Sequence, residues 1–565
     1  MADAAVDKRS NAVLIVGAGL SGMQSGLLLA QRGHAVYLLD EAPGIGGSLH
    51  LLDRTFPTDS CGLCISSPTN ATYCPSIECS LHPSITPLPL AELLALDGEP
   101  GHFRARIRRN PRYVNVERCN LCGDCAAVCP ATRPHPHEGD LAPQKAIYAP
   151  PPRAVPNAYV IDMAACIRCG KCVEACPTGA INLEEQAAEE TLEVGAVILS
   201  PGYAPFDARR KGEFGFGVLS NVVTSIQFER MVSPPGSTRG KLVRPSDGRT
   251  PKRIAFIQCV GSRDQTVARE YCSSICCMYT AKQARAALES QPDAEITVFT
   301  MDIRTFGKGY DRYWDSVQHE GIRFCRAMVS KAKQHPKTGH IALNYVSEAG
   351  EPKEEEFDLV VLAVGLESPQ SARELAQRIG LDVNPYGFGE TGEFAPVASN
   401  RSGIFIAGCY TEPKDIPDTV AQAAAALQAA RLNLTAVLDA PIRHEKLEDA
   451  QDVYEDLRHK YDARLEMYQS GQEPDYWFVD QAQQQLDDAE LYLSRIRQQG
   501  AVQLQNVQNE VARAAQAHQE AQDALARLLR EVDTKEIEAA ELTVRAAELA
   551  LEEARGRLAD GVLRL

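Results

Sequence analysis

Two cysteine runs of the form Cys-x2-Cys-x2-Cys-x3-Cys-Pro carry the plainest chemistry in this sequence. The first is Cys119, Cys122, Cys125 and Cys129 before Pro130, and the second is Cys166, Cys169, Cys172 and Cys176 before Pro177. Thiolates at this spacing wrap 4Fe-4S cubes: the first three of each run hold one cube and the fourth crosses over to the other. Cys119, Cys122, Cys125 and Cys176 therefore make one ligand set, and Cys166, Cys169, Cys172 and Cys129 its partner. Zinc, the alternative, ordinarily takes two separated Cys pairs rather than a four-Cys run ending in proline.

Eight further cysteines fall in two looser groups of four. Cys61, Cys64, Cys74 and Cys79 support two readings, a redox-active dithiol or a third 4Fe-4S site. The dithiol leaves two thiols idle and the cluster uses all four, so the cluster is favoured. The polar loop from Ser66 to Tyr73 would then fold only around the metal. Cys259, Cys272, Cys276 and Cys277 follow the strand-like run Arg253–Ile257, where a second nucleotide fingerprint would stand if this unit bound NAD(P)H. No such fingerprint is there, and adjacent cysteines rarely close a bridge without strain. A fourth 4Fe-4S cluster is the economical reading. Cys325 and Cys409, which stand alone, read as small buried thiols.

The elements that must position these groups begin with a nucleotide signature. An apolar run from Ala12 to Val16 stops at Gly17-Ala18-Gly19-Leu20-Ser21-Gly22, which opens an Ala/Leu-rich helix ending near Arg32-Gly33. A second apolar run, from Ala35 to Leu39, ends in Asp40. In a dinucleotide fold Gly17 makes the turn, Gly19 admits the pyrophosphate, Gly22 packs helix on strand, and the acid binds a ribose hydroxyl. Glu41 is the fallback for that last role, and a glycine turn in an ordinary α/β sheet is the bland alternative. Gly44-Ile45-Gly46-Gly47 resembles the FAD branch of the fold, which makes FAD the first choice of ligand.

Later segments fit the same fold. Gly195 to Gly202 looks like the strand that re-enters a flavin domain after the ferredoxin runs, so those runs form an insert. The long Pro130–Pro156 spacer between them reads as an extended loop wrapped over that insert. Asp358–Gly365 and Gly403–Cys409 look like the two late strands of FAD-dependent reductases, with Cys409 where an acid ordinarily bonds the ribityl chain. Asp415, Asp418 and a helix starting near Thr419 should turn backbone N–H groups and a helix dipole towards the flavin. Lys282 and Lys414 could add charge near the ring, a surface lysine being the ordinary alternative. Lys282 is preferred, as a residue that tunes the flavin couples, because it sits on the helix that follows Cys277.

Composition bounds the rest. The chain has 565 residues and a net charge of −17, room for several domains and a poor match for nucleic acid, whose phosphates need a basic surface. No apolar stretch of about 18 residues and no signal pattern is visible, so a cytoplasmic protein without a membrane span is expected. From about Arg443 the composition turns to Ala, Glu, Gln, Arg and Leu. Helices are expected over 445–469, 476–530 and 535–558, with apolar residues at three and four spacing such as Val507, Val511, Ala514 and Leu525. An antiparallel coiled-coil hairpin fits this pattern, either as a spacer or as a docking arm.

Gln258-Cys259-Val260-Gly261-Ser262-Arg263-Asp264, Cys276-Cys277-Met278-Tyr279 with Lys282-Gln283-Ala284, Met301-Asp302-Ile303-Arg304 with Phe306-Gly307-Lys308-Gly309-Tyr310, and Pro413-Lys414-Asp415-Ile416-Pro417-Asp418 resemble the HdrA subunit of heterodisulfide reductase. The similarity covers roughly residues 10 to 435. It implies a thioredoxin-reductase-like FAD core in which an iron-sulfur cluster stands where nicotinamide would bind. Its best-studied members bifurcate electrons at the flavin. The implied partners are HdrB- and HdrC-like subunits, ferredoxin, and a hydrogenase, formate dehydrogenase or other electron-donor subunit, with the chain as a homodimer within a larger complex. Unlike the methanogen pattern, this sequence begins close to the FAD motif, shows no ferredoxin module after the FAD domain and adds the helical tail.

The expected fold is α/β: a two-dinucleotide-binding-domain flavoprotein with an inserted double-cluster ferredoxin domain (α+β) and a C-terminal α-helical coiled-coil tail. The expected segments are an FAD domain at 1–110, 186–248 and 366–440, a ferredoxin insert at 111–185, an NAD(P)H-domain-like unit carrying a cluster at 249–365, and the tail at 441–565. Gly202, Gly365 and Gly408 join Gly17, Gly19, Gly22, Gly46 and Gly47 as expected FAD contacts. The rivals are an NAD(P)H:ferredoxin oxidoreductase resembling the small subunit of glutamate synthase, a quinone-linked HdrA-like protein, and a non-catalytic scaffold.

Overall fold

The computed structural model describes residues 11–61, 75–151, 154–392 and 395–438, and scattered positions beyond. Cys64 and Cys74, and the coiled coil expected from residue 441, lie outside the described residues. The chain divides into two units, Met1–Leu434 and Thr435–Leu565; the sheets and the insert lie in the first, and the helix Ile416–Leu438 runs on past its end.

Val13–Val16 is the central strand of a five-stranded sheet ordered Ile404–Ile406, Ala196–Leu199, Val13–Val16, Val36–Asp40 and Ile85–Pro89. All four pairings are parallel. A strand buried on both faces needs no polar alternation, which is why Val13–Val16 is apolar throughout. Val13 and Ile15 pack with Met23 and Leu27 in one layer, while Leu14 and Val16 pack with Phe103 and Leu375 in the other.

The second sheet is also parallel, ordered Val222–Thr224, Leu359–Val364, Arg253–Val260, Glu295–Thr300 and Arg323–Arg326. Ile254 and Phe256 face Met278 and Trp314, and Ala255 and Ile257 face Phe299 and Leu343. The reading from sequence puts 186–248 with the first sheet. Val222–Thr224 and the helix Ser225–Val232 belong instead to the second, because Val222 pairs with Val360.

The insert leaves and re-enters on two strands of a three-stranded stalk, whose third strand, Ala91–Asp97, pairs antiparallel with Phe103–Arg109. Phe103–Arg109 pairs antiparallel with Ala188–Val194, from Phe103 opposite Val194 to Arg109 opposite Ala188. Two residues after Val194 the chain enters the first sheet as Ala196–Leu199. Inside the insert two five-residue helices, Asp124–Val128 and Lys171–Ala175, each start after a glycine in the left-handed region, Gly123 and Gly170. Its small core joins Val114, Ile147, Ile161 and Ile181 to Cys125 and Cys172. Among the described residues no helix is long and apolar enough to cross a membrane.

Candidate cofactor and cluster sites

A cavity of about 700 Å³ opens at the carboxyl ends of the first sheet's strands, the place where open α/β sheets receive ligands. Gly17, Gly19, Asp40, Gly47, Gly202 and Gly408 line it. Gly17 has φ +101°, and a Cβ there would stand 2.1 Å from the Ser200 carbonyl oxygen. A Cβ on Gly47, at φ +56°, would come within 2.7 Å of the Gly19 Cα. Both glycines thus keep backbone close to backbone at the cavity floor. Asp40 fastens this loop: its carboxylate accepts from Ala18 N at 2.7 Å and Ala42 N at 2.8 Å. Burial pushes the Asp40 carboxyl up, and those two N–H groups oppose the shift.

Five of the expected cofactor residues lie off the cavity wall, each for a physical reason. Gly22 packs helix on turn, where a Cβ would meet the Gly17 carbonyl oxygen at 1.9 Å. Gly46 sits beneath the loop, its N–H given to Ala18 O and its α-carbon against the His50 ring. Glu41 is exposed, its side chain in solvent. Gly365 packs on Gly261 and Ser273, beside the second sheet. Asp418 is exposed, and its N–H is taken by the Asp415 side chain at 2.8 Å.

Lys282, Cys409, Lys414 and Asp415 also line the cavity. Lys282 is buried and binds Glu229 at 2.6 Å and the Arg54 carbonyl at 2.9 Å. Glu229, missed from sequence, accepts also from Gln283 Nε2 and Asp53 N. Lys414 donates to Thr411 and Gln422. Asp415 caps the helix Ile416–Leu438 and accepts from the Tyr310 hydroxyl, so its carboxylate is committed within the protein. Cys409 is buried, its Sγ 3.4 Å from the Lys414 carbonyl, and burial raises its thiol.

The insert supplies part of the same wall, which the sequence reading did not foresee. The Pro130–Pro156 spacer is no plain extended loop: Thr132–Pro134 pairs with Pro143–Lys145, and Ile147–Tyr148 with Val160–Ile161. Arg133, His135, His137, Glu138, Gln144 and Tyr148 face the cavity from it. Arg133 stacks over Tyr148 and pairs with Asp162 at 2.7 Å. Glu138 forms a buried ion pair with Arg230 at 2.9 Å. These charges carry no motif, and only the folded chain brings them together.

The ferredoxin-type thiols gather in two small cavities. Cys119, Cys122, Cys125 and Cys176 line one; Cys129, Cys166, Cys169 and Cys172 line the other. Cys122 and Cys169 are exposed, Cys125 and Cys172 buried. Burial pushes the Cys125 thiol up to about 11, so an ionised sulfur there calls for positive charge beside it. Backbone N–H groups of Ala180 and Arg168 point at Cys176 and Cys166 sulfurs, at 3.3 and 3.4 Å. Among the described residues no three His, Cys, Asp or Glu side chains converge closely enough for a single metal ion. Each set of four thiols lines its own small cavity.

The strand Arg253–Val260 breaks register between Ile257 and Val260, and Cys259 there takes φ +61°, a costly conformation for a side chain that is not glycine. Cys276 and Cys277 open the helix Cys276–Ser290, and Cys272 precedes it by four residues. Arg304 N donates to the Cys277 sulfur and Ser274 N to that of Cys272, both at 3.4 Å. Burial, then the neighbouring Cys277, pushes the Cys259 thiol up to about 12, and burial drives Cys276 well above its ordinary value. Of the remaining group, Cys61 pairs through its backbone with Arg54, and Cys79 is buried with its Sγ 3.7 Å from the Met23 carbonyl. Cys325 is half-buried on an edge strand.

Family models match at two places: a 4Fe-4S binding domain at residues 159–182 and an NAD(P)-binding Rossmann-like domain at 15–66. The iron-sulfur A-subunit of the CoB–CoM heterodisulfide reductase of Methanocaldococcus jannaschii is 43% identical over 420 residues, 74% of this chain and 63% of that protein. The A-subunit of the H2/formate:CoB-CoM heterodisulfide,ferredoxin reductase of Methanococcus maripaludis is 41% identical over 426 residues, 75% of this chain and 64% of that protein. The chain thus spans slightly under two thirds of the length of these relatives. Among solved structures, T. acidophilum thioredoxin reductase superposes with a TM-score of 0.42 at 14% identity, covering 74% of this chain and 97% of that one. With its Rossmann-type fold and iron-sulfur insertion, and with 37–43% identity shared with a consistent set of archaeal proteins, the chain belongs to the heterodisulfide reductase A-subunit family.

Proposed function

We propose that this chain is an FAD- and iron-sulfur-containing electron-transfer subunit, the oxidoreductase component of a heterodisulfide-reductase-like complex. The observation that carries the reading is a dinucleotide-sized cavity, floored by Gly17, Gly19 and Gly47, with a cluster-type thiol insert forming part of its wall. Its volume lies within the roughly 300–1,000 Å³ of cofactor pockets, and the bare glycine floor is what a pyrophosphate needs.

FAD would lie with its adenosine end by Asp40 and its ring end by Lys282, Cys409 and Lys414. Four 4Fe-4S clusters would occupy the two insert sets, the set Cys259, Cys272, Cys276 and Cys277, and the set Cys61, Cys64, Cys74 and Cys79. When bound, flavin exchanges electrons in pairs and clusters exchange them singly, which suits a junction between two kinds of partner. The chain's own residues do the positioning. Lys282, held by Glu229, presents a cation to the ring end of the cavity, and the wall formed by the insert excludes water. The second parallel sheet is then a nicotinamide-type domain whose phosphate turn is given over to thiols. HdrB- and HdrC-like subunits, ferredoxin and a hydrogenase- or formate-dehydrogenase-type donor are the partners this reading names, in the cytoplasm, with the helical tail as a coiled coil.

An anaerobic redox titration of the purified protein, followed by EPR and flavin absorbance, tests the reading. Reversible cluster signals together with flavin bleaching are expected. Protein whose iron and flavin do not titrate would be a scaffold instead.

A further inference from the structure

The three-stranded stalk fixes where the insert is attached and leaves its tilt to be set by other contacts. Three of these are specific. Arg112, buried in the insert, donates to the Pro43 carbonyl of the glycine-rich loop and, at 3.0 Å, to Ala158 O. Ile45 N donates to Val155 O at 2.9 Å. The third contact crosses to the other sheet: Glu138 Oε1 accepts from Arg230 Nη2 at 2.9 Å and Nε at 3.1 Å, while Oε2 accepts from Ser237 N at 2.8 Å.

The Arg230 side chain is 1% exposed and that of Glu138 6%, so neither charge has water to fall back on. The helix Ser225–Val232 that presents Arg230 is itself fixed by a capping box, with Gln227 N bound to Thr224 Oγ1 and Thr224 N to Gln227 Oε1. The same Gln227 donates its amide to Gly139 O, one residue beyond Glu138, at 2.7 Å. Arg230 also reaches Leu51 O at 3.2 Å. Its neighbour Glu229 holds Lys282 and the Asp53 N–H. One turn of helix therefore grips the insert with one residue and the cavity's cation with the next.

We infer that the Glu138–Arg230 pair is the latch that docks the insert on the cavity, and that Glu138 is a positioning residue for electron passage between the cavity's cofactor and the insert's clusters. This rests on the function proposed above. Electron transfer falls steeply with distance, so an insert free to rock on its stalk would pass electrons more slowly without losing iron or flavin. Two guanidinium N–H groups meet one carboxylate oxygen and the Ser237 N–H meets the other, an arrangement that needs a two-donor cation facing a charged group that accepts on both oxygens. Neither glutamine at 138 nor lysine at 230 reproduces it, whereas aspartate at 138 retains the charge.

The test uses holoprotein of wild type, Glu138→Gln, Glu138→Asp and Arg230→Lys. Hydrogen–deuterium exchange is read over residues 133–151, and electron exchange between flavin and insert clusters is read by rapid photoreduction with freeze-quench EPR. With iron and FAD counted on each sample and the rate taken per FAD-loaded molecule, Glu138→Gln and Arg230→Lys should lose protection over 133–151 by about tenfold and slow the exchange by about tenfold, with Glu138→Asp lying between them and wild type. Unchanged protection, or an unchanged exchange rate in a loosened insert, overturns the latch. If Glu138→Gln does not fold, Arg230→Lys decides. Wild-type protein that binds neither FAD nor insert iron would instead refute the proposed function, and the exchange protection would still judge the latch.

Discussion

The Nζ of Lys282 lies 2.6 Å from Oε1 of Glu229, and both side chains are shut away from solvent at the edge of the large cavity. A buried pair of this kind is expensive to break on one side, because the remaining charge has neither partner nor water. Lys282→Ala should therefore destabilise the protein by roughly 3–5 kcal/mol, measured by denaturant unfolding. Adding Glu229→Gln should recover part of that loss. The flavin couple should also move. With the cation gone and a carboxylate left behind, the reduced anionic flavin is disfavoured, and its potential should fall by about 30 mV for each 1.4 kcal/mol lost. A potential unchanged in both variants would mean that the pair holds the fold and nothing more.

Gly17→Ala places a methyl group 2.1 Å from the Ser200 carbonyl oxygen, on a backbone of positive φ. The atoms it would meet, of Ser200 and Pro201, are backbone and cannot swing aside. The variant should lose most of its flavin while retaining the insert's iron, as read by absorbance and iron assay on the same sample. Normal flavin content would place the pyrophosphate elsewhere.

Much of this was legible in the sequence where chemistry is local. The turn from Gly17 to Gly22, the apolar strands and the spacing of the ferredoxin cysteines each encode their geometry within a few residues. The partners of Lys282 and Arg230 were not legible, since Glu229 and Glu138 belong to no motif and become neighbours only after residues far apart in sequence fold together. The proline-rich spacer misled for a related reason. It has no periodicity to read, yet Thr132–Pro134 and Ile147–Tyr148 find strand partners and carry His135, His137 and Tyr148 to the cavity. Val222–Thr224 was too short a signal to assign to the second sheet before Leu359–Val364 was seen beside it.

Cys129 and Cys176 offer a test of the crossed ligand sets. Cys176 lines the cavity of Cys119, Cys122 and Cys125, and Cys129 that of Cys166, Cys169 and Cys172. Cys129→Ser and Cys176→Ser should therefore each perturb a different cluster, with Cys176→Ser altering the EPR signal that Cys122→Ser also alters. If Cys176→Ser instead matched Cys169→Ser, each run would ligate its own cube.

His137 gives the pH dependence a sign. Burial, then the nearby Arg230 guanidinium and His135, pushes its imidazole down to about 3 from an ordinary value near 6.5. A folded-state value below the unfolded one contributes stability that is present above the unfolded pKa and is lost as pH falls through the folded one. Between about pH 7 and pH 5 the thermal unfolding temperature of wild type should thus fall further than that of His137→Gln. Parallel falls would show that other groups carry the acid response.

Iron, sulfide and FAD counted per polypeptide in protein prepared without oxygen test the whole account most directly. About sixteen irons with matching sulfide and one FAD are predicted, with no bleaching of the flavin by NADH in the absence of partners. A few irons per chain, or NADH reducing the flavin through the unit that carries Cys272, would contradict it.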